Sequence, residues 1–163
     1  MLEDLVVDTN VFVHASNPEV TYCGEARDLM TALETVATVL SVDEGFDMDP
    51  RRNRSLILGE YLENLHFGML AFAFVSTLAS AGRIKEVPRS VSSAVSRQVN
   101  RIIANRRDRT FLKVAINSQD HLLASHDFTD FSSRKRVKIE DIFDVRIKTA
   151  GEALNLFANN HAT

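Results

Sequence analysis

The run Leu5-Val6-Val7, broken by Asp8-Thr9-Asn10, constrains the fold more than any other stretch of this chain. A short, wholly apolar run suits a strand buried on both faces, which asks for a parallel sheet covered by helices. A buried parallel strand that ends in a carboxylate puts that group at the sheet's carboxyl edge, where open α/β sheets hold ligands. Asp-Thr-Asn equally suits a turn or a helix N-cap before Val11 and Phe12. The weight of Asp8 therefore depends on partners further along the chain.

Alternating patterns follow. After a turn at Asn17-Pro18, helical spacing links Ala26, Leu29, Met30, Leu33, Val36 and Ala37. Residues 38–42, Thr-Val-Leu-Ser-Val, read as a second strand, and 43–49 as an acidic loop closed by Pro50 that lacks the ligand pattern of an EF-hand. Helices are expected over 55–65, 67–81 (ended by Gly82), 91–103 and 109–117, the last opened by Asp108 as a cap. Short strands are expected at 84–87, 122–125 and 145–147. Thr149 and Glu152 have the spacing of a capping box ahead of a last helix, 150–157. Strands alternating with helices predict a three-layer α/β sandwich around a parallel sheet of about five strands.

At 163 residues the chain suits a single domain, 1–163, with room for a sizeable core. Cys23 is the only cysteine, so an internal disulfide and a thiolate zinc cluster are excluded. No basic start leads into a long apolar run, and the apolar stretch 65–81 is short and mixed for a membrane span; a cytoplasmic protein without membrane contact is expected. Charge is unevenly placed: residues 1–50 hold eleven Asp and Glu against one Arg, Arg27, while the remainder is basic. That asymmetry fits an acidic pocket for cations beside a basic surface for nucleic acid, and fits a chance partition of solvated faces as well.

Four segments in order resemble one family. Val-Val-Asp-Thr-Asn-Val-Phe at 6–12 is similar to the opening motif of PIN-domain nucleases, and Ile-Leu-Gly-Glu-Tyr at 57–61 to their second acidic motif. Asp108-Arg-Thr-Phe-Leu-Lys-Val-Ala115 matches their Asp-x-x-Phe-hydrophobic-x-x-Ala segment. Residues 122–131, Leu-Leu-Ala-Ser-His-Asp-Phe-Thr-Asp-Phe, resemble the closing motif, with Ser125 where Thr is common. The stretch 145–154 looks like the family's last strand and helix.

The resemblance implies a sheet of order 3-2-1-4-5, with Asp8, Glu60, Asp108 and Asp127 as catalytic acids and metal ligands, and Thr9, Asn10 and Ser125 orienting them. Carboxylates gathered in one cleft repel and raise each other's pKa unless cations intervene. Hard divalent ions with oxygen ligands, Mg²⁺ or Mn²⁺, suit such a set. The function implied is metal-dependent endonuclease action on single-stranded RNA, with DNA less favoured. The family also implies toxins blocked by a separate antitoxin protein, and homodimers, for which the apolar segment 69–74 is a candidate face.

Basic clusters at Arg51, Arg52 and Arg54, at Arg101, Arg106, Arg107 and Arg109, and at 134–138 are candidates for holding phosphates. Each also reads as a solvated charge run. Glu63 competes with Glu60, Asp130 reads as a turn residue beside Asp127, and His126 as an exposed loop histidine. Other functional readings stay open: a non-catalytic PIN-like module binding nucleic acid or protein, and an α/β phosphatase with an acidic magnesium site. Asn10 stands where a phosphatase of the haloacid dehalogenase type carries its second Asp.

Overall fold

The structure, a computed structural model, describes residues 2–159. Five strands, β1 (Asp4–Val7), β2 (Val39–Asp43), β3 (Ile84–Val87), β4 (Leu122–Ala124) and β5 (Arg146–Lys148), form one sheet in the order β3-β2-β1-β4-β5. All four pairings are parallel. The eight helices are α1 (Thr9–Ala15), α2 (Cys23–Thr35), α3 (Leu56–Asn64), α4 (Leu70–Ser80), α5 (Ser93–Ile102), α6 (Arg106–Asn117), α7 (Ser133–Phe143) and α8 (Ala150–Asn159). The strand order reverses direction at β1. Right-handed crossovers therefore send the helices of the first two connections to one face and those of the next two to the other.

The central strand is as buried as its composition demands. Leu5, Val6 and Val7 are fully shielded, and Phe12, Leu33, Leu40, Tyr61, Phe111 and Leu123 join them in one continuous core. Asp4 is buried too, because its carboxylate accepts the Gln119 and Asp120 N–H groups and the Ser41 hydroxyl. The capping box of α8 forms in both directions: Thr149 N–H to Glu152, and Glu152 N–H to the Thr149 hydroxyl. Gly82 ends α4 with φ near +67°, a conformation in which a side chain would be strained.

Several expectations need correction. Residues 133–143 form α7, unread in the sequence because its charged run leaves Ile139 as its buried apolar residue. The helix expected from Phe67 starts at Leu70, leaving Phe67 94 % exposed in the preceding turn. Asp43 closes β2 instead of opening a loop. Asp108 does not cap α6; Asn105 does, its Oδ1 accepting the Arg107 N–H at 2.9 Å.

Candidate functional site

Three structural devices bring acids from distant parts of the chain to the edge where β1 and β4 end. The first is strand adjacency. Asp8 N–H donates to the Ala124 carbonyl at 2.9 Å, so both strands terminate side by side. Asp8 occupies the N-cap position of α1 without using its side chain as a cap. Its Oδ2 accepts the Ser125 hydroxyl at 2.7 Å and the Asn10 amide at 2.8 Å. Ser125 Oγ also accepts the Asp127 N–H at 3.0 Å, and Asn10 Oδ1 accepts the His126 N–H at 2.9 Å. Ser125 and Asn10 thus link the first and last acidic segments.

The second device holds α3, and with it Glu60. The Asp43 carboxylate accepts the Leu56 and Ile57 N–H groups and the Ser55 hydroxyl at the helix start, and pairs with Arg89 at 2.5 Å. A buried carboxylate at a helix N-terminus satisfies donors that would otherwise be orphaned. At the other side of the helix the Tyr61 hydroxyl donates to the Val7 carbonyl, one residue before Asp8. Glu60, the neighbour of Tyr61, is thereby held near enough to Asp8 for its charge to raise the Asp8 pKa. Glu63 instead faces Arg107 at 3.4 Å on the exposed surface.

The third device is the entry to α6. Because Asn105 does the capping, the Asp108 side chain is free to turn inward, where it is only 6 % exposed. Asp130 fixes this entry by accepting the Ala104 and Asn105 N–H groups at 3.3 and 3.2 Å. Oxygens of Asp108, Asp127 and Asp130 all lie within 4.8 Å of one another.

Electrostatics follow from this crowding. Burial pushes Asp8 up to about 6; the Ser125 hydrogen bond opposes the rise, while the charges of Glu60 and Asp127 add to it. Burial likewise raises Glu60, partly offset by the nearby Thr9 hydroxyl and by Arg107. Asp108 goes up to about 8 through burial, contact with the Asp130 carboxyl, and the charges of Asp8 and Asp127. Burial alone would raise Asp130 as well, but the Asp108 bond, two backbone N–H groups and Lys135 together lower it. Asp108 is thus the member of the pair pushed up and Asp130 the member held down. Asp108 Oδ2 is buried and accepts no hydrogen bond from any donor, and the buried Thr9 hydroxyl likewise makes no hydrogen bond of normal geometry.

Of the four expected acids, Asp108 and Asp127 thus share one close cluster, Asp8 lies near enough to exchange charge effects with them and with Glu60, and Asn10 and Ser125 hydrogen-bond to Asp8. Asp130, read from the sequence as a turn residue, joins the cluster; its spacing from Asp127, one turn apart, was the available signal. His126 is buried and not an exposed loop histidine. Its Nε2 lies 3.1 Å from the Ala150 nitrogen and 3.0 Å from Glu25 Oε1, and its Nδ1 faces His14 Nδ1 at 2.9 Å. Burial, His14 and Arg136 hold its pKa down to about 4, so the ring is neutral at pH 7.

A cleft of about 860 Å³ opens beside Glu60 between α3 and α6, lined also by Arg89, Arg106, Arg107, Arg109 and Lys113. The expected basic residues divide here. Arg106 lines the cleft with its charge available, whereas Arg107 lines it while paired with Glu63 at 3.4 Å. Arg109 lines it too, but its guanidinium is occupied by the Ile103 and Ala104 carbonyls at 2.7 and 3.0 Å. Arg52 pairs with Asp47 and Asp49, Arg54 bonds the Arg51 and Asn53 carbonyls, and Arg51, Arg52, Arg54 and Arg101 are absent from the cleft wall. Lys113 and Arg89 were not anticipated.

No protein-family model and no curated protein matches this chain. The site's chemistry therefore stands on its own geometry. None of the described helices is long and apolar enough to cross a membrane.

Proposed function

We propose that this protein is a PIN-like endonuclease that hydrolyses phosphodiester bonds, using Mg²⁺ or Mn²⁺ held by Asp8, Glu60, Asp108, Asp127 and Asp130. The observation that carries this reading is Asp108 Oδ2, a buried carboxyl oxygen that accepts no hydrogen bond and is crowded by the charges of Asp8, Asp127 and Asp130. A group of that kind is stabilised by a cation, and the all-oxygen donor set suits a hard divalent ion. When bound, such ions supply a hydroxide from water and neutralise charge on the phosphoryl oxygens.

The chain's own residues have separate tasks in this reading. Ser125 and Asn10 hold the Asp8 carboxylate in one orientation. Asp43 and Tyr61 keep Glu60 at the centre's rim. Arg106, Arg107 and Lys113 line the approach, where the phosphates of a single strand would be held. The preference for RNA, the role as a toxin restrained by a separate antitoxin, and homodimer formation rest on the family resemblance. Phe67 and the half-exposed Leu70 provide the apolar surface for a second copy.

The test is cleavage of a panel of single- and double-stranded RNA and DNA with Mg²⁺, Mn²⁺ or EDTA. Metal-dependent internal cuts, lost in Asp8→Asn and Asp108→Asn, are expected. Cleavage that survives both substitutions, or no cleavage of any substrate, removes the reading.

A further inference from the structure

An exposed aromatic stands beside the acidic centre and has no part in the chemistry above. Phe128 follows Asp127 in a turn shaped by Asp127 Oδ1, which accepts the Thr129 and Asp130 N–H groups at 2.7 and 2.9 Å. After packing on Tyr22, with ring centroids 5.4 Å apart, Phe128 still keeps 44 % of its surface exposed. Tyr22 is itself backed by the buried His126 at 4.8 Å. The stack is thus anchored in the core and ends at Phe128 on the surface.

The Arg136 guanidinium lies over the Phe128 ring, 5.1 Å from its centre. It is held by the carbonyls of Phe131, Ser125 and Asp127 at 2.6, 3.1 and 3.4 Å. The carbonyls fix its position, and the charges of Glu152 and Asp127 also act on it. Phe128 and Arg136 line a pocket of about 240 Å³, with Val137, Ile147 and Lys148 and the carboxylates of Glu140 and Glu152 among its other walls. That is below the roughly 300–1,000 Å³ of sites that bury a whole cofactor or drug-sized ligand. It shares no lining residue with the cleft between α3 and α6.

Resting on the nuclease reading, we propose that this pocket is a subsite for one nucleobase of the bound strand, stacked against the exposed part of Phe128 beside Arg136. Every base has a π-face, so an aromatic wall of this kind grips a single strand with little regard to sequence, and the arginine adds a cation–π contribution. The acidic centre then lies between a phosphate-binding cleft and a base-binding pocket. A duplex, whose bases are stacked inside, could not use the pocket without unpairing.

The experiment measures binding of the full chain in EDTA to a short single-stranded RNA in which one abasic residue is moved stepwise along the strand. Wild-type affinity is expected to fall roughly 5- to 150-fold when the abasic residue reaches one particular position. Phe128→Ala should bind the intact RNA more weakly and lose that position dependence, while Phe128→Trp should keep it. Phe128→Leu, which preserves apolar packing on Tyr22, guards against a folding defect and should behave as Phe128→Ala does. Wild-type protein indifferent to the abasic position, or a Phe128→Ala variant retaining the wild-type profile, overturns the subsite. If that protein still cuts RNA with Mn²⁺, the nuclease reading survives; absence of both binding and cutting removes the two together.

Discussion

The Ser125 hydroxyl donates to the Asp8 carboxylate at 2.7 Å, joining residues 117 positions apart across the ends of β4 and β1. Both groups are buried, so the bond is charge-assisted and shielded from water.

Removing that donor should therefore be felt in stability and in metal binding. Ser125→Ala is expected to lose about 1.5–3 kcal/mol in denaturant unfolding at pH 7. Its metal affinity should fall about 10- to 100-fold, the usual effect of losing a group that orients a ligand. Ser125→Thr keeps the hydroxyl and should bind metal much as the parent does. A Ser125→Ala protein with parental stability and affinity would show the bond to be incidental.

The metal-free protein should become more stable on acidification from pH 8 to 6.5. Asp108 and Asp8 have folded pKa values of about 8 and about 6, above the ordinary carboxylate value of 3.8. A raised folded pKa gives stability that is full below the unfolded value and is lost as pH rises through the folded one. His126, lowered from 6.5 to about 4, acts oppositely: its contribution is full above 6.5 and is lost as pH falls toward 4. Above pH 6.5 the acids act alone, with a slope of at most about 1.4 kcal/mol per pH unit for each proton. Asp108→Asn should flatten this slope, as read from melting temperature against pH in EDTA. An unaltered slope would place the titrating proton elsewhere.

Divalent metal should raise the melting temperature of the parent and leave Asp108→Asn nearly unmoved. At one hundred times the dissociation constant the stabilisation expected is about 2.7 kcal/mol. Asp8→Asn should show a reduced shift and, without metal, equal or slightly higher stability than the parent, since it removes like-charge repulsion. Calorimetric titration with Mn²⁺ provides the same comparison independently. Equal shifts in parent and variants would mean that the ion sits away from these carboxylates.

The arginines around Asp108 should separate into two kinds. Replacing Arg106 and Arg107 with Ala should weaken single-stranded RNA binding and lower the salt slope by about 0.7 for each phosphate no longer neutralised. Arg109→Ala should instead act on folding, because its guanidinium satisfies the Ile103 and Ala104 carbonyls where α5 leads into α6. A loss of about 1 kcal/mol or more is expected there. An Arg106/Arg107 variant with parental salt dependence would show those two charges to be a solvated face.

How much of this was legible in the chain differs from residue to residue. Leu5-Val6-Val7 and the broken run at Asp8 carry the central strand and its polar end in a few adjacent positions, because burial on both faces admits a polar residue only where, as at Asp4, hydrogen bonds satisfy it. The capping box at Thr149 and Glu152 is equally local, as both hydrogen bonds span three residues. Periodicity located α2, α3, α5 and α6 through the stripes they bury. It failed for α7, where Ile139 is the buried residue, Phe143 packs partly buried against the core, and the remaining positions are charged or exposed.

The site itself was legible only as a set of types. Sequence by itself determined the alternation of strands and helices and the acids at the ends of two strands, since backbone period and side-chain polarity are properties of neighbouring residues. Tertiary structure alone decided that Asn105 would cap α6 and release Asp108, that Asp130 would join it, and that His126 would be buried beside His14. It also left Arg109 tied to carbonyls and Phe128 exposed at the end of an aromatic stack. These outcomes depend on which groups the parallel pairing of β1 with β4 brings within a few ångströms. Residues more than one hundred positions apart compete there for the same donors, and local sequence carries no record of which of them wins.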